Sequence, residues 1–580
     1  MSRIAVGIDL GTSTSEVVIF MNGETSSIRD PKTRSPIIPS VVGIDKKSGR
    51  LLIGNDALRF RGVEGSFVQE VKRQMGTEST VSLGDSQYKP EEISALILKH
   101  LKRLVESTYN EEIKEAVITV PANFPNAARK ATLAAAEIAG MRVLKLINEP
   151  TAAAMAFGIK NMEAEENLLV FDWGGGTLDV TILEMMQGIL DVKSSYGDPQ
   201  LGGKDFDQVL SEFVISSFRK KHPDAHIVIS DIELRAEVKK LKESLSTEEN
   251  ADIYLPAFAK EGKELITLDL LVSKSEFEQA VIPLINRAKN VIEEALSKKN
   301  STRESITRVL CVGGTTYIPA VRKMLDDFFP GKVSVDVDPD LAVSIGAAVE
   351  AASQCGLISR QNGLITTDVS PYGIGVEIVS IIGNQPMLVY DPLIEPNTAL
   401  PFSISRDYTL LREDQTALEM RIMQSHKSGP QRVEDTIYTG ISASIEKIPV
   451  SKSGIPHAVE VSFSYDNNGL INLKALIPST GNDAVISMKD SEIMMTDQEK
   501  QKSATRLDRL LNEDRLYTKH RAIIERAENL ISTESITEDQ LELIGSLLVQ
   551  LKKAISCNDD EESDRLSEKL SFEIFDIENL

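Results

Sequence analysis

The sequence predicts a two-lobed α/β unit followed by a β-sandwich and a helical tail, and three observations predict it. Residues 1 to about 355 alternate short β-rich runs with helical patterns. Examples are 117–120 followed by 126–139, and 309–312 followed by 318–329; such alternation indicates an α/β unit. Residues 4–20 (IAVGIDLGTSTSEVVIF) and 168–183 (LLVFDWGGGTLDVTIL) form an internal repeat. Each is an apolar strand reaching an Asp, then a Gly/Ser/Thr turn and a second strand, with Asp9 and Asp172 separated by 172 − 9 = 163 positions. Duplicated hairpins of this type imply two similar lobes facing each other across a cleft. Finally, the period changes near 372 from α/β to alternating runs, and again at Thr496 to a helical one.

The later elements follow from local chemistry. Runs at 458–463 and 470–475 flank Asp466-Asn467-Asn468-Gly469, a strong hairpin turn. Beyond Thr496, Leu507, Leu510, Leu511, Ile523, Ile524, Ala527, Leu530 and Ile531 share one helical face. Thr496 with Glu499, and Thr537 with Gln540, fit capping boxes. Residues 359–371 (SRQNGLITTDVSP) break the pattern and read as a linker. The resulting division is 1–358, linker 359–371, β unit 372–495 and helices 496–580.

Composition narrows the function. The 580 residues carry 64 basic and 87 acidic side chains, a net charge of −23. That opposes a nucleic-acid or anionic-membrane binder, which needs a basic face. No apolar run approaches the ~18 residues of a transmembrane helix. No signal peptide fits, because Asp9 interrupts the apolar stretch 4–8. Cys311, Cys355 and Cys557 lie far apart without metal spacing, which points to a reducing, cytoplasmic compartment.

The repeated turns carry the chemistry. Gly and hydroxyl residues around a tight turn present N–H and Oγ donors that suit phosphate. An Asp ahead of each turn suits Mg²⁺ held through water. One such loop alone is usually an ordinary hairpin; two with matched Asp residues are much harder to explain that way. A third Gly turn, 311–316 (CVGGTT), lies between a strand and a helix, where backbone packs well on an adenosine. Such turns are also common structural connections. Asn148-Glu149-Pro150-Thr151 opens an Ala-rich helix and reads either as a plain cap or as a carboxylate at the cleft. Trp173, the only tryptophan, lies inside the second turn and would report nucleotide through its emission.

Together IDLGT (8–12), VKR (71–73), VITVPANF (117–124), INEPTAAA (147–154), FDWGGGTLDV (171–180), LGGKDFD (201–207), VGGTTYIP (312–319) and DPDLAVSIGAAV (338–349) resemble the DnaK-type heat-shock chaperones. This is the heat shock protein 70 family, and within it the short bacterial HscC-like branch is the most similar. The resemblance covers essentially the whole chain. It implies an actin-like ATPase with a β-sandwich peptide-binding domain and a helical lid, acting as an ATP-dependent chaperone on unfolded or extended polypeptides. ATP or ADP and Mg²⁺ would be its cofactors, and a J-domain co-chaperone and an exchange factor its partners. Carried over by position, Asp9 and Asp172 hold Mg²⁺ through water. Gly11, Thr12, Ser13, Thr14, Gly174, Gly175, Gly176 and Thr177 hold the phosphates. Lys72 stabilises the γ-phosphate and the attacking water, and Glu149 and Asp179 complete the acid side. Gly202, Gly203, Lys242, Ser246, Gly313, Gly314, Thr315, Tyr317 and Asp340 take the adenosine. Val376, Val379, Tyr408, Leu411, Leu418 and Met420 line a peptide pocket, although apolar residues at period two are also ordinary core.

Several positions depart from the family. Lys239, Glu243 and Tyr317 replace a Glu and two Arg residues around adenine, and Lys145 stands where DnaK docks its J-domain partner through Arg. The segment 379–390 reads as a lengthened loop, and Leu411 replaces a small residue. The linker has Leu364-Ile365-Thr366-Thr367 in place of a fully apolar run, which predicts weaker coupling. The ending FEIFDIENL lacks the acidic tetrapeptide that recruits TPR partners. Two other readings are an actin-fold small-molecule kinase, which leaves the β unit unexplained, and a nucleotide-gated binder with little turnover.

Overall fold

The computed structural model describes residues 4–578 apart from 47–49, 64, 299–300, 335, 359–362, 383–384, 467, 481, 486–494 and 533–536. The chain forms two compact units. One comprises Met1–Ser40, Gln69–Ser79 and Lys89–Met495; the other comprises Val41–Val68, Thr80–Tyr88 and Thr496–Leu580.

In the first unit, β1 (Ala5–Leu10) and β2 (Thr14–Met21) form the first repeated hairpin, with Asp9 opposite Glu16. Strand Glu115–Val120 lies parallel to β1 and leads into α1 (Asn126–Ile138). Strand Arg142–Asn148 lies parallel beyond it and runs directly into α2 (Glu149–Gly158). The second repeat has the same plan. Strands β3 (Glu165–Trp173) and β4 (Leu178–Met186) pair with Asp172 opposite Asp179, and Arg308–Val312 lies parallel to β3. Strand β5 (Ile189–Asp198) continues this second sheet.

Helices α2 and α3 (Ala342–Gln354) share one buried cluster with residues of both sheets: Val18 and Val117 from the first, Val170 and Leu183 from the second. Small residues let these elements close up. A Cβ on Gly346 of α3 would stand 1.7 Å from the Ala152 carbonyl oxygen of α2, and one on Gly7 would stand 2.1 Å from the Ala348 nitrogen.

The expected linker is largely a strand. Its residues 359–362 lie outside the described residues, but β6 (Ile365–Val369) adds to the second sheet, parallel to β5. Leu364 is buried. The two threonines make polar contacts in place of the missing apolar ones: Lys145 Nζ donates to Thr366 Oγ1 at 3.4 Å, and Thr367 Oγ1 donates to Asp191.

Beyond the linker the alternation predicts a sandwich, and two sheets of five and four strands enclose a core containing Val376, Met420, Ile422, Phe463 and Leu473. The segment 379–390 is not a long loop. Strands β7 (Gly373–Ile382) and β8 (Gln385–Ile394) pair as far as Ile382 opposite Gln385. Asp466 closes its turn by accepting from the Asn468 and Leu470 amides, each at 2.8 Å. That turn also docks on the first sheet: Asn468 Oδ1 accepts from the Leu146 amide at 3.0 Å, and its carbonyl accepts from Arg129 at 3.3 Å.

In the second unit, α4 (Asp497–Ser532), α5 (Glu538–Ser556) and α6 (Asp560–Glu578) pack around Ile524, Ala527, Leu551, Leu566 and Leu570. Both capping boxes are present, Thr496 with Glu499 and Thr537 with Gln540. Here α4 also lies against the small subdomain of residues 41–68 and 80–88. The Arg506 guanidinium stacks 3.9 Å from the Tyr88 ring centroid, and Arg50 donates to Thr518 Oγ1 at 3.2 Å. Among the described residues no helix is long and apolar enough to cross a membrane.

Candidate functional site

The two repeated turns face each other. A Cβ on Gly175 would lie 2.5 Å from Ser13 Oγ and 3.5 Å from Ser13 Cβ, so the second turn comes within side-chain contact of the first. The second turn is tight: the Gly174 amide donates to the Thr177 carbonyl at 3.1 Å. It is clamped by Arg73, whose Nη2 donates to the Gly176 carbonyl at 2.6 Å. Ser40 Oγ supports the first turn by donating to the Gly11 carbonyl at 2.9 Å. Thr12, Ser13, Thr14, Gly174, Gly175 and Thr177 are half-buried around this gap.

Below the turns sits a dense charge cluster. Lys72 is buried and its Nζ lies 2.6 Å from Glu149 Oε1, the first residue of α2. Burial works against the Lys72 charge, yet Glu149, Asp9 and Asp172 outweigh it and hold the ammonium above its ordinary value. Burial also raises the Glu149 carboxyl, with Lys72 opposing. Asp172 is pushed well above the usual carboxylate range by burial and then by Glu149, Asp179 and Asp9. Asp179 is pushed up to about 7 by burial and Glu149, despite the amide of Asn123 donating to it. Asp9 accepts from Thr119 Oγ1 at 2.6 Å.

Four carboxylates thus share one lysine, an excess of negative charge that a divalent cation would neutralise. Among the described residues no three such groups converge closely enough to ligate one ion directly. Residues so spaced fit Mg²⁺ through its water shell.

The pH dependence has a definite sign. The folded Asp179 keeps its proton up to about pH 7, whereas its ordinary value is 3.8. The folded state therefore binds more protons in that window, and stability falls as pH rises from 3.8 to about 7. Asp179→Asn should flatten this part of the nucleotide-free stability curve, read from denaturant midpoints at several pH values. An unchanged slope would remove Asp179 as its source.

The residues expected to take the adenosine assemble around Gly174. Thr315 Oγ1 donates to its carbonyl at 2.8 Å, and the Gly203 amide donates to the same carbonyl at 3.0 Å. Gly202 lies against Gly176, where a Cβ would come within 2.4 Å of the Gly176 nitrogen. Gly313 has φ +79°, which favours glycine, and a Cβ there would lie 2.6 Å from the Trp173 carbonyl oxygen; Gly314 follows it in a short 3₁₀ turn. Lys242 donates to the Gly203 carbonyl at 3.0 Å and pairs with Asp207 at 2.7 Å; Ser246 Oγ donates to the Lys242 carbonyl at 3.0 Å. Tyr317 is about half exposed and donates to Asp340 at 3.2 Å. Lys239 and Glu243 pair with each other at 3.8 Å.

Two readings become definite. Asn148 is the N-cap of α2 but its side chain makes no capping bond: its amide donates to Asp368 of β6 at 2.7 Å, and its oxygen accepts from the buried Arg129 at 2.7 Å. Trp173 points away from the turn into the core, edge-on to Phe171 and Phe206, with Nε1 donating to the Leu201 carbonyl at 3.1 Å. Its emission should therefore follow core packing more than bound phosphate.

The sequence reading missed Glu16. It is buried opposite Asp9 as Asp179 is opposite Asp172, and burial followed by Asp9 raises its carboxyl well above the usual range. The signal was in the repeat: each Asp is followed seven positions later by a second acid. Arg73, Asn123 and Arg129 were missed because their partners are backbone or distant side chains.

The peptide-pocket candidates divide into three groups. Val376 and Met420 belong to the sandwich core. Tyr408 and Leu418 are partly buried at its margin, and Tyr408 donates to Asp391 at 2.7 Å. Val379 and Leu411 are exposed and stand apart from that cluster.

The family model described as "Hsp70 protein" matches residues 5–577. The chain is 33% identical to the "Chaperone protein DnaK" of Mycoplasmopsis agalactiae, over 98% of this chain and 94% of that relative. It is 35% identical to the protein of that name from Nitrosopumilus maritimus, over 83% and 75%. It is 36% identical to the one from Thermotoga maritima, over 82% and 78%. With two facing Asp-bearing turns, a buried lysine among their carboxylates and a sandwich beyond, the chain belongs to the Hsp70 family of ATP-dependent molecular chaperones and is an ATPase.

Proposed function

We propose that the cleft between the two turns binds Mg-ATP and that its hydrolysis controls an extended polypeptide held by the β unit. The close approach of the Ser13 and Gly175 turns carries this reading, because it sets two phosphate-binding backbones on either side of one gap. Asp9 and Asp172 would hold Mg²⁺ through water, and the ion would neutralise phosphate charge. Gly11 to Thr14 and Gly174 to Thr177 would donate to the β- and γ-phosphates. Lys72 would meet charge that develops on the γ-phosphate, with Glu149 and Asp179 orienting the attacking water. Gly202, Gly203, Lys242, Ser246, Gly313, Gly314 and Thr315 would form the adenosine wall. Tyr317, steadied by Asp340, supplies a ring to stack on the base in place of a guanidinium.

In the β unit, Leu418 and Tyr408 are the best-placed pocket residues, with Val379 and Leu411 at the rim. Strand-like main-chain bonding plus one buried side chain would hold the client. Helices α4 to α6 would form the lid that hydrolysis closes. Lys145, paired with Glu350 at 3.0 Å, remains the candidate contact for a J-domain partner, and an exchange factor would complete the cycle. The long β7–β8 hairpin supports the HscC-like branch as its place within the family. Three free thiols suit a reducing, cytoplasmic compartment.

The test is ATP turnover with and without an unfolded peptide, in wild type and Leu418→Phe. Peptide should change the wild-type rate. The variant should keep its basal rate but bind peptide weakly. If Leu418 is only core, overpacking should instead cost roughly 1–3 kcal/mol of stability and leave peptide affinity unchanged. A rate indifferent to peptide in the wild type would remove the coupling.

A further inference from the structure

Strand alternation gives β2 two faces with different tasks. Ser15 points to one, where its hydroxyl lies 2.8 Å from that of Ser40, the residue that holds the Gly11 carbonyl. Thr14, Glu16 and Val18 point to the other. Val18 enters the buried cluster shared with α2 and α3, and Glu16 is only 3% exposed. Register sets Glu16 opposite Asp9 and Val18 opposite Gly7. Directly opposed residues of an antiparallel pair share a face, with Cβ atoms about 4.5–5.5 Å apart. In the first sheet β1 lies between β2 and the strand Glu115–Val120. Asp9 is therefore flanked from both sides: by Thr119, which donates to its Oδ1 at 2.6 Å, and by Glu16. Asp9 in turn acts on the charge of Lys72, so this face looks into the charge cluster.

We propose that Glu16 is a positioning residue of the ATPase site, holding Asp9 toward the hydrated Mg²⁺ and tying it to Thr14 of the phosphate turn, a role that rests on the Mg-ATP reading of the cleft. Glu16 reaches both partners, Asp9 across the strands and Thr14 two positions back on its own face. Its carboxyl interacts with both side chains. The Thr119 bond engages one Asp9 oxygen, and a second contact fixes the rotation of the carboxylate. Groups that orient a metal-holding carboxylate without touching the metal change metal affinity by about 10- to 100-fold when lost. Core packing alone gives no reason for an acid at this place. The charged groups that act on Glu16 most strongly, Asp9 and Asp340, are themselves acids, and a carboxyl buried among acids is costly unless they meet a cation. The second repeat has the same plan, with Asp172 opposite Asp179 and Asn123 donating to Asp179.

The test is the ADP affinity of the full chain, measured by calorimetry in Mg²⁺ and in EDTA, so that the ratio of the two reads the coupling to the metal. Wild type should bind ADP more tightly with Mg²⁺. A wild-type ratio near one would overturn the Mg²⁺ reading of the cleft, and this role with it. Glu16→Ala should lower the ratio by about tenfold or more while the EDTA value is kept. Glu16→Gln keeps both hydrogen-bonding positions and should stay within about threefold of the wild-type ratio. Glu16→Leu fills the volume without the bonds and should match Glu16→Ala. It carries the test if the Ala variant does not fold, which denaturant midpoints report. A wild-type ratio in both the Ala and Leu variants would overturn the role of Glu16 and leave the Mg²⁺ reading intact. So would an equal loss in Mg²⁺ and in EDTA, or a Gln variant as impaired as the Ala variant.

Discussion

Lys72→Met is expected to lower ATP turnover by about 100-fold or more while nucleotide still binds. The lysine is buried, paired with Glu149 at 2.6 Å and held charged by three carboxylates around it. Its charge is most needed when negative charge develops on the transferred phosphoryl group, so its loss should fall on turnover more than on affinity. The substitution also leaves Glu149 buried without its cation, which destabilises the fold by itself. Denaturant midpoint and nucleotide affinity measured on the same preparation separate the effects: a folded variant that binds nucleotide normally and does not turn over places the loss in the chemical step. Measured turnover near wild type in the single variant would remove Lys72 from the chemistry.

Gly346→Val is expected to be strongly destabilising. The missing Cβ would lie 1.7 Å from the Ala152 carbonyl oxygen and 2.4 Å from its carbon, both backbone atoms of α2. Neither helix can yield locally, because both are buried between the two sheets. Forced separation should cost about 3–5 kcal/mol, above the usual range for overpacking. Since α2 begins at Glu149, the movement should also slow hydrolysis. Denaturant midpoints and turnover, measured on the same preparation, check both effects. Gly346→Ala should show a smaller loss of the same kind. A Val variant as stable as wild type would mean that α2 and α3 are not held at this distance.

Much of the architecture and of the phosphate side is legible in the sequence because it is local. The repeat predicts both hairpins, and the carboxylates at 9, 172 and 179 fall where a strand of period two must place them. Capping boxes and the turn at 466–469 are settled by neighbours within four residues. The family resemblance adds the roles of Lys72 and the adenosine wall, which spacing alone does not assign.

Tertiary structure decided the rest. The linker threonines are strand residues making polar contacts with Lys145 and Asp191, partners roughly 180 to 220 positions away that no local pattern names. Asn148 is the N-cap of α2 as the sequence allows, but its side chain is committed to Arg129 and Asp368. Trp173 sits in a phosphate turn by sequence and in the core by side-chain direction, since alternation on β3 turns it toward Phe171 and Phe206. Composition and periodicity determine which elements form and which face each one buries. Which buried charge meets which, and how closely two helices approach, depends on contacts between residues far apart in the chain, and only the folded packing specifies these.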